Sequence, residues 1–100
     1  MLALEPDAVL SLEQGIVLHS LPEQDHFFAF SVVTGDEFHL NQTSYWVLGA
    51  IGQGIEWRHL KDSFLSTFDV SPQQGESDLR RIVGEFYEEK IIGRRENGEQ

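Results

Sequence analysis

The sequence of 100 residues predicts an α+β domain, a three-stranded antiparallel sheet followed by three α-helices. Three observations predict it. The hydrophobic period changes within residues 37–54: Phe38 and Leu40 alternate with Glu37 and His39 as in a half-buried strand, whereas Val47, Leu48 and Ile51 recur at helical spacing. Before that switch lie two apolar stretches, each closed by a turn signal. After it lie two amphipathic stripes.

In chain order, residues 1–13 show no usable period and read as a loose N-terminal arm. Ile16, Val17, Leu18 and Leu21 form a first strand near 15–21, closed by Pro22-Glu23-Gln24-Asp25. Residues 27–33 are the most apolar stretch, and Thr34-Gly35-Asp36 joins them in a hairpin to a strand at 37–40. A two-residue loop would set Val33 opposite Phe38. A three-residue loop sets Val32 opposite Phe38 and Phe30 opposite Leu40, gathering Phe28, Phe30, Val32, Phe38 and Leu40 on one face, and is preferred because a one-residue slip exchanges the faces. Phe27, Ala29, Val33, Glu37 and His39 then share the outer face.

Asn41 is placed to accept from the first free N–H groups of a helix near 42–52, and Gly52-Gln53-Gly54 supplies positive φ at its end. Trp57, Leu60, Phe64 and Phe68 step by three, four and four, which predicts a second helix near 56–68. Ser71-Pro72-Gln73-Gln74 has the form of a capping box with proline at the first helical position. Gly75 is expected to delay the regular part of the third helix to 77–91, where Leu79, Ile82, Val83 and Phe86 form its stripe and Gly93 follows its end. Asp78 then either caps that regular part or touches a ligand. The domain spans 14–94, and the polar residues 95–100 are expected to fray.

Composition excludes several classes. The length suits one domain, and no apolar run approaches the roughly 18 residues of a membrane span. Met1 to Asp7 has no base ahead of its apolar part, so a cytoplasmic protein is expected. The chain has no cysteine, hence no disulfide framework, thiolate zinc site or cysteine nucleophile. His19, His26, His39 and His59 match no metal-ligand spacing, Gly49, Gly52 and Gly54 follow a helix as turn glycines, and Glu88-Glu89 reads as a solvated pair. No enzyme activity, cofactor or metal is expected.

The net charge of −10 is unevenly placed: residues 1–57 carry eight acids and no Lys or Arg, and all seven bases lie beyond them. A nucleic-acid backbone is bound through cations, so that half should be repelled by it.

Strand, hairpin, then three short helices is the composition of a winged-helix domain with its sheet placed first. Residues 27–94 resemble the PqqD-like family, small proteins of pyrroloquinoline quinone biosynthesis and their relatives that act as recognition elements for ribosomally made, post-translationally modified peptides. The resemblance rests on Leu40-Asn41-Gln42-Thr43 with Val47-Leu48, the glycine turn at 52–54, Leu60 and Phe64, Asp78-Leu79 with Ile82-Val83, Phe86, and Ile91-Ile92-Gly93. The turn is one residue longer than the family's Asp-Gly, the second strand is richer in phenylalanine, and residues 1–26 match little.

The resemblance implies a non-enzymatic module, a peptide chaperone of natural-product biosynthesis, that captures a precursor's leader and presents it to a modifying enzyme of radical-SAM, cyclase or protease type. The leader would add as a strand along Glu37, Phe38, His39 and Leu40, beside Asp78, Arg81, Ile82 and Glu85 of the third helix. The alternatives are a DNA-binding winged-helix regulator and a structural partner subunit of an enzyme complex, with a homodimer through the 27–33 strand left open. Charge weighs against the first: the hairpin that would serve as a wing holds Asp36 and Glu37 and no base.

Overall fold

The computed structural model describes residues 2–96. Three antiparallel strands, β2 (Ile16–Leu21), β3 (His26–Ser31) and β4 (Glu37–Leu40), form one sheet in that order. The helices α1 (Gln42–Ile51), α2 (Trp57–Thr67) and α3 (Pro72–Glu88) follow. The period switch at Asn41 is realised directly, for β4 ends at Leu40 and α1 begins at Gln42, with Asn41 Oδ1 accepting from Ser44 N at 2.7 Å. Gly52 (φ 47°) and Gly54 (φ 152°) turn the chain out of α1 as their position suggested.

A second sheet was not foreseen. The segment read as a loose arm contains β1 (Val9–Leu12), the central strand between β5 (Ile55–Glu56) and β6 (Ile92–Arg95). Ala8 and Leu10 are fully buried. The preceding residues are also tied down: Trp57 N donates to Ala8 O at 2.8 Å and Arg58 N to Pro6 O at 3.0 Å, satisfying N–H groups at the start of α2 that have no partner within the helix. The frayed end expected at 95–100 falls, from residue 97 on, outside the described residues, while Arg95 belongs to β6.

The core forms where the stripes converge. Val47, Leu48 and Ile51 of α1, Trp57, Leu60 and Phe64 of α2, and Leu79, Ile82, Val83 and Phe86 of α3 are all buried, together with Leu10 of β1, Ala29 of β3, Ile91 and Ile92.

Two local expectations are corrected. The hairpin turn is longer than three residues: Ser31 pairs with Asp36 (N to O, 2.9 Å), Ala29 stands opposite Phe38, and Phe27 opposite Leu40. The faces of β3 are therefore exchanged. Ala29 and Ser31 point inward, while Phe30 faces outward; Val32 and Val33 leave the strand for the turn, 62% and 73% exposed. Polar side chains hold this turn, since Ser31 Oγ accepts from Thr34 N (3.2 Å) and Thr34 Oγ1 donates to Asp36 Oδ2 (2.8 Å). The small Ala29, with no exposed surface, lets the sheet approach the helices closely.

The second correction is that α3 begins at Pro72, not at 77. Ser71 Oγ accepts from Gln74 N at 3.2 Å, so Ser71 is the N-cap, while the Gln74 side chain turns to Asp78, and Gly75 lies inside the helix. The helix ends at Glu88, short of the expected 91, with Glu89 as its C-cap; Lys90 takes φ 63° just beyond, and Ile91 N donates back to Phe86 O.

Candidate functional site

Antiparallel strands give their main-chain hydrogen bonds alternately to one side and the other. In β3, the Val32 N to Gly15 O bond fixes even-numbered residues toward β2, and the Ser31 N to Asp36 O bond fixes odd-numbered residues toward β4. Ala29 and Phe27 thus bond Phe38 and Leu40. The main-chain groups of Glu37 and His39 point away from the sheet, and among the described residues no strand pairs with β4 on that side.

Beside this edge runs α3. Two adjoining grooves lie along it, one facing β4 and the other facing the start of α1 and the end of α2, and they share Asn41, Ser44 and Glu85. One, of about 440 Å³, is lined by Glu37, Phe38, His39 and Leu40 with Glu85, Phe86 and Glu89. The other, of about 350 Å³, has Phe64, Phe68, Val70 and Ile82 as its apolar part and Asp78, Arg81 and Glu85 at its mouth. The structure brings all eight predicted site residues, Glu37, Phe38, His39, Leu40, Asp78, Arg81, Ile82 and Glu85, to this pair of grooves.

Their individual surroundings differ. Phe38 and Leu40 turn inward and pack against the core, leaving Glu37 and His39 side chains in solvent 3.4 Å apart. Arg81 Nη1 stands 3.6 Å from Glu85 Oε1, one turn along an exposed helix face. Asp78 does not cap α3, because Ser71 does; its carboxylate accepts from Gln74 Nε2 at 2.8 Å and stays at the groove. Ile82 is 7% exposed and forms part of the floor.

Sequence reasoning missed Phe68, Val70, Asn41 and Glu89. Phe68 was read as the last step of a core stripe, but α2 ends at Thr67 and Phe68 is its cap, so its ring stays partly buried against Phe64 (4.7 Å between centroids) and Trp46 (5.2 Å) at the groove's end. The run Phe68-Asp69-Val70 just past the helix was the available signal.

Nothing in this arrangement pairs a nucleophile with a base, and among the described residues no three His, Asp or Glu side chains gather as a metal site would require. The site is a strand edge, an apolar pocket and a mainly acidic rim. Among the described residues no helix is long and apolar enough to cross a membrane.

No protein-family model and no curated protein matches the chain. The fold is similar to that of a solved structure described as TbiB1 in complex with the TbiA(beta) leader peptide, with a TM-score of 0.68 over 90% of this chain and 98% of that one, at 14% sequence identity.

Proposed function

We propose that this chain is a peptide-binding module that takes the leader of a ribosomally made precursor as an added strand along β4 and presents it to a modifying enzyme. The observation that carries the reading is the free edge of β4, with the Glu37 and His39 main chain facing outward beside the grooves along α3. Two further findings support it. Residues 27–94 resemble the PqqD-like family, and the fold is shared with TbiB1, which was solved in complex with a leader peptide. Main-chain hydrogen bonds each add only about 0.5–1.5 kcal/mol net, against the entropy lost when a flexible peptide is ordered. Selectivity therefore falls to side chains entering the pocket at Phe64, Phe68, Val70 and Ile82.

An amide chemical-shift titration with the leader of a precursor gene neighbouring this one tests the proposal. Shifts should concentrate in residues 37–41 and 78–86. His39→Pro removes an outward-facing N–H and leaves the β3–β4 ladder intact, since proline is tolerated on an edge strand. It should weaken binding by up to about tenfold with the fold retained, the loss of one main-chain bond. Shifts confined to 55–68, or none at saturating peptide, would refute the reading.

A further inference from the structure

The Glu37 and His39 main chain would pair with a strand of any sequence, so the side chains of the groove decide which peptide is held. At one end the walls are apolar, with Phe64, Phe68, Val70 and Ile82. Toward the other they carry Glu37, Glu85 and Glu89, Asp78 lying at the apolar end, against Arg81 as the sole Lys or Arg and His39 beside Glu37. Arg81 already stands 3.6 Å from Glu85. Glu89 has no ion-pair partner among the described residues.

The helix adds to this field. The last turn of α3 holds no basic residue; Lys90 just beyond it lines a separate groove with Glu88 and Glu13, and Glu85 and Glu89 stand near the end where the unpaired carbonyls carry partial negative charge. Acids there repel both one another and the helix terminus, an imbalance that a cation arriving from outside would relieve.

Resting on the strand-addition reading above, we infer that the groove selects extended peptides in which a Lys or Arg lies two or four residues from a large apolar side chain. The spacing follows from geometry. Glu85 and Glu89 lie roughly 5 and 10 Å beyond Ile82 along a helix rising about 1.5 Å per residue, and a strand advances about 3.3 Å per residue with only alternate side chains on the groove side, so the matching offsets are even. The apolar side chain fills the pocket over Ile82, and the cation meets Glu85 and Glu89. A peptide with an acid at that position meets the Glu37, Glu85 and Glu89 carboxylates instead, and this repulsion provides specificity.

The test is selection of a phage-displayed library of random peptides, about twelve residues long so as to overrun the edge, on the immobilised full chain, followed by amide titration with the enriched peptides. Lys or Arg should be enriched two or four residues from an aromatic or aliphatic residue. Glu85→Gln combined with Glu89→Gln should weaken these peptides about three- to tenfold at low salt, as expected for two partly exposed charge pairs. That difference should vanish near about 0.5 M salt, where screening is nearly complete. Both acids are exposed, so amides outside the groove should be unchanged in the variant. Enriched peptides that shift Glu37–Leu40 amides without any charge preference, or with a preference for acids, overturn this inference and leave strand addition standing. Enriched peptides that shift only amides elsewhere overturn both.

Discussion

Gly75 and Gly84 both lie in α3 but answer to opposite forces. A Cβ on Gly75 would come within 2.4 Å of Leu65 Cδ2 and 2.8 Å of Val70 Cγ2, whereas one on Gly84 meets nothing within 4 Å. Leu65 can swing its tip aside; Val70 is β-branched and has little freedom at χ1. Gly84→Ala should therefore stabilise the protein by about 0.5–1 kcal/mol through helix propensity. Gly75→Ala should destabilise it by about 1–2 kcal/mol through overpacking, both read from urea midpoints. The same scale explains the hairpin error. The volume of Phe28, Phe30 and Val32 argued for one register, but hydrogen bonds from Ser31, Thr34 and Asp36 set a longer turn and put Ala29 inside. Short polar side chains outweighed large apolar ones there, and periodicity is blind to that contest.

At the scale of elements, the helices were legible because each presents several apolar residues at helical spacing to one core. β1, β5 and β6 were not. β5 has two residues, and in β6 Ile92 is followed by Gly93-Arg94-Arg95, which reads as a helix stop and a polar tail. Leu10→Ala tests whether β1 is structural: with Leu10 fully buried, the loss should be about 2–5 kcal/mol, measured by chemical denaturation. A loose arm would lose nothing. The α2–α3 contact carries a separate, weaker link. Glu76 receives Arg80 Nε at 2.9 Å and stands 3.5 Å from Lys61 Nζ, while the Arg80 guanidinium lies over the Trp57 ring at 5.1 Å. The Arg80 hydrogen bond, helped by the Lys61 charge and opposed by some desolvation, holds the Glu76 carboxyl below its ordinary 4.5. A lowered folded pKa gives stability that is complete above the unfolded value and is lost as pH falls through the folded one. Near neutral pH, Glu76→Gln should cost about 0.5 kcal/mol or less because the pairs are solvent-exposed. The gap between the two proteins should begin to narrow below about pH 4.5 and close once pH has fallen through the lowered folded value, as thermal melts would show.

For the whole molecule, charge separates the peptide reading from a DNA-binding one. The β2–β3–β4 sheet comes entirely from the half of the chain without Lys or Arg, and α3 offers Arg80 and Arg81 against Glu76, Asp78, Glu85 and Glu88, with Arg80 engaged by Glu76. No appreciable binding to duplex DNA is expected near physiological salt, by fluorescence titration. Sub-micromolar affinity with a steep salt dependence would reverse the ranking. The site was legible in the sequence to the extent that it lies on regular elements, β4 and α3. Phe68 and Val70 escaped because they sit where the chain leaves one helix and enters the next.

The pairing of β1 with β6 also bears on how the protein is made. Leu12 stands opposite Ile92, so the middle strand of that sheet meets its partner across a loop of roughly eighty residues, a closure whose entropy must be met before any contact repays it. During synthesis Leu10 leaves the ribosome well ahead of the strand that completes its sheet. Until then a nascent chain holds β1 with one edge unpaired, and the domain closes only once translation has passed Ile92.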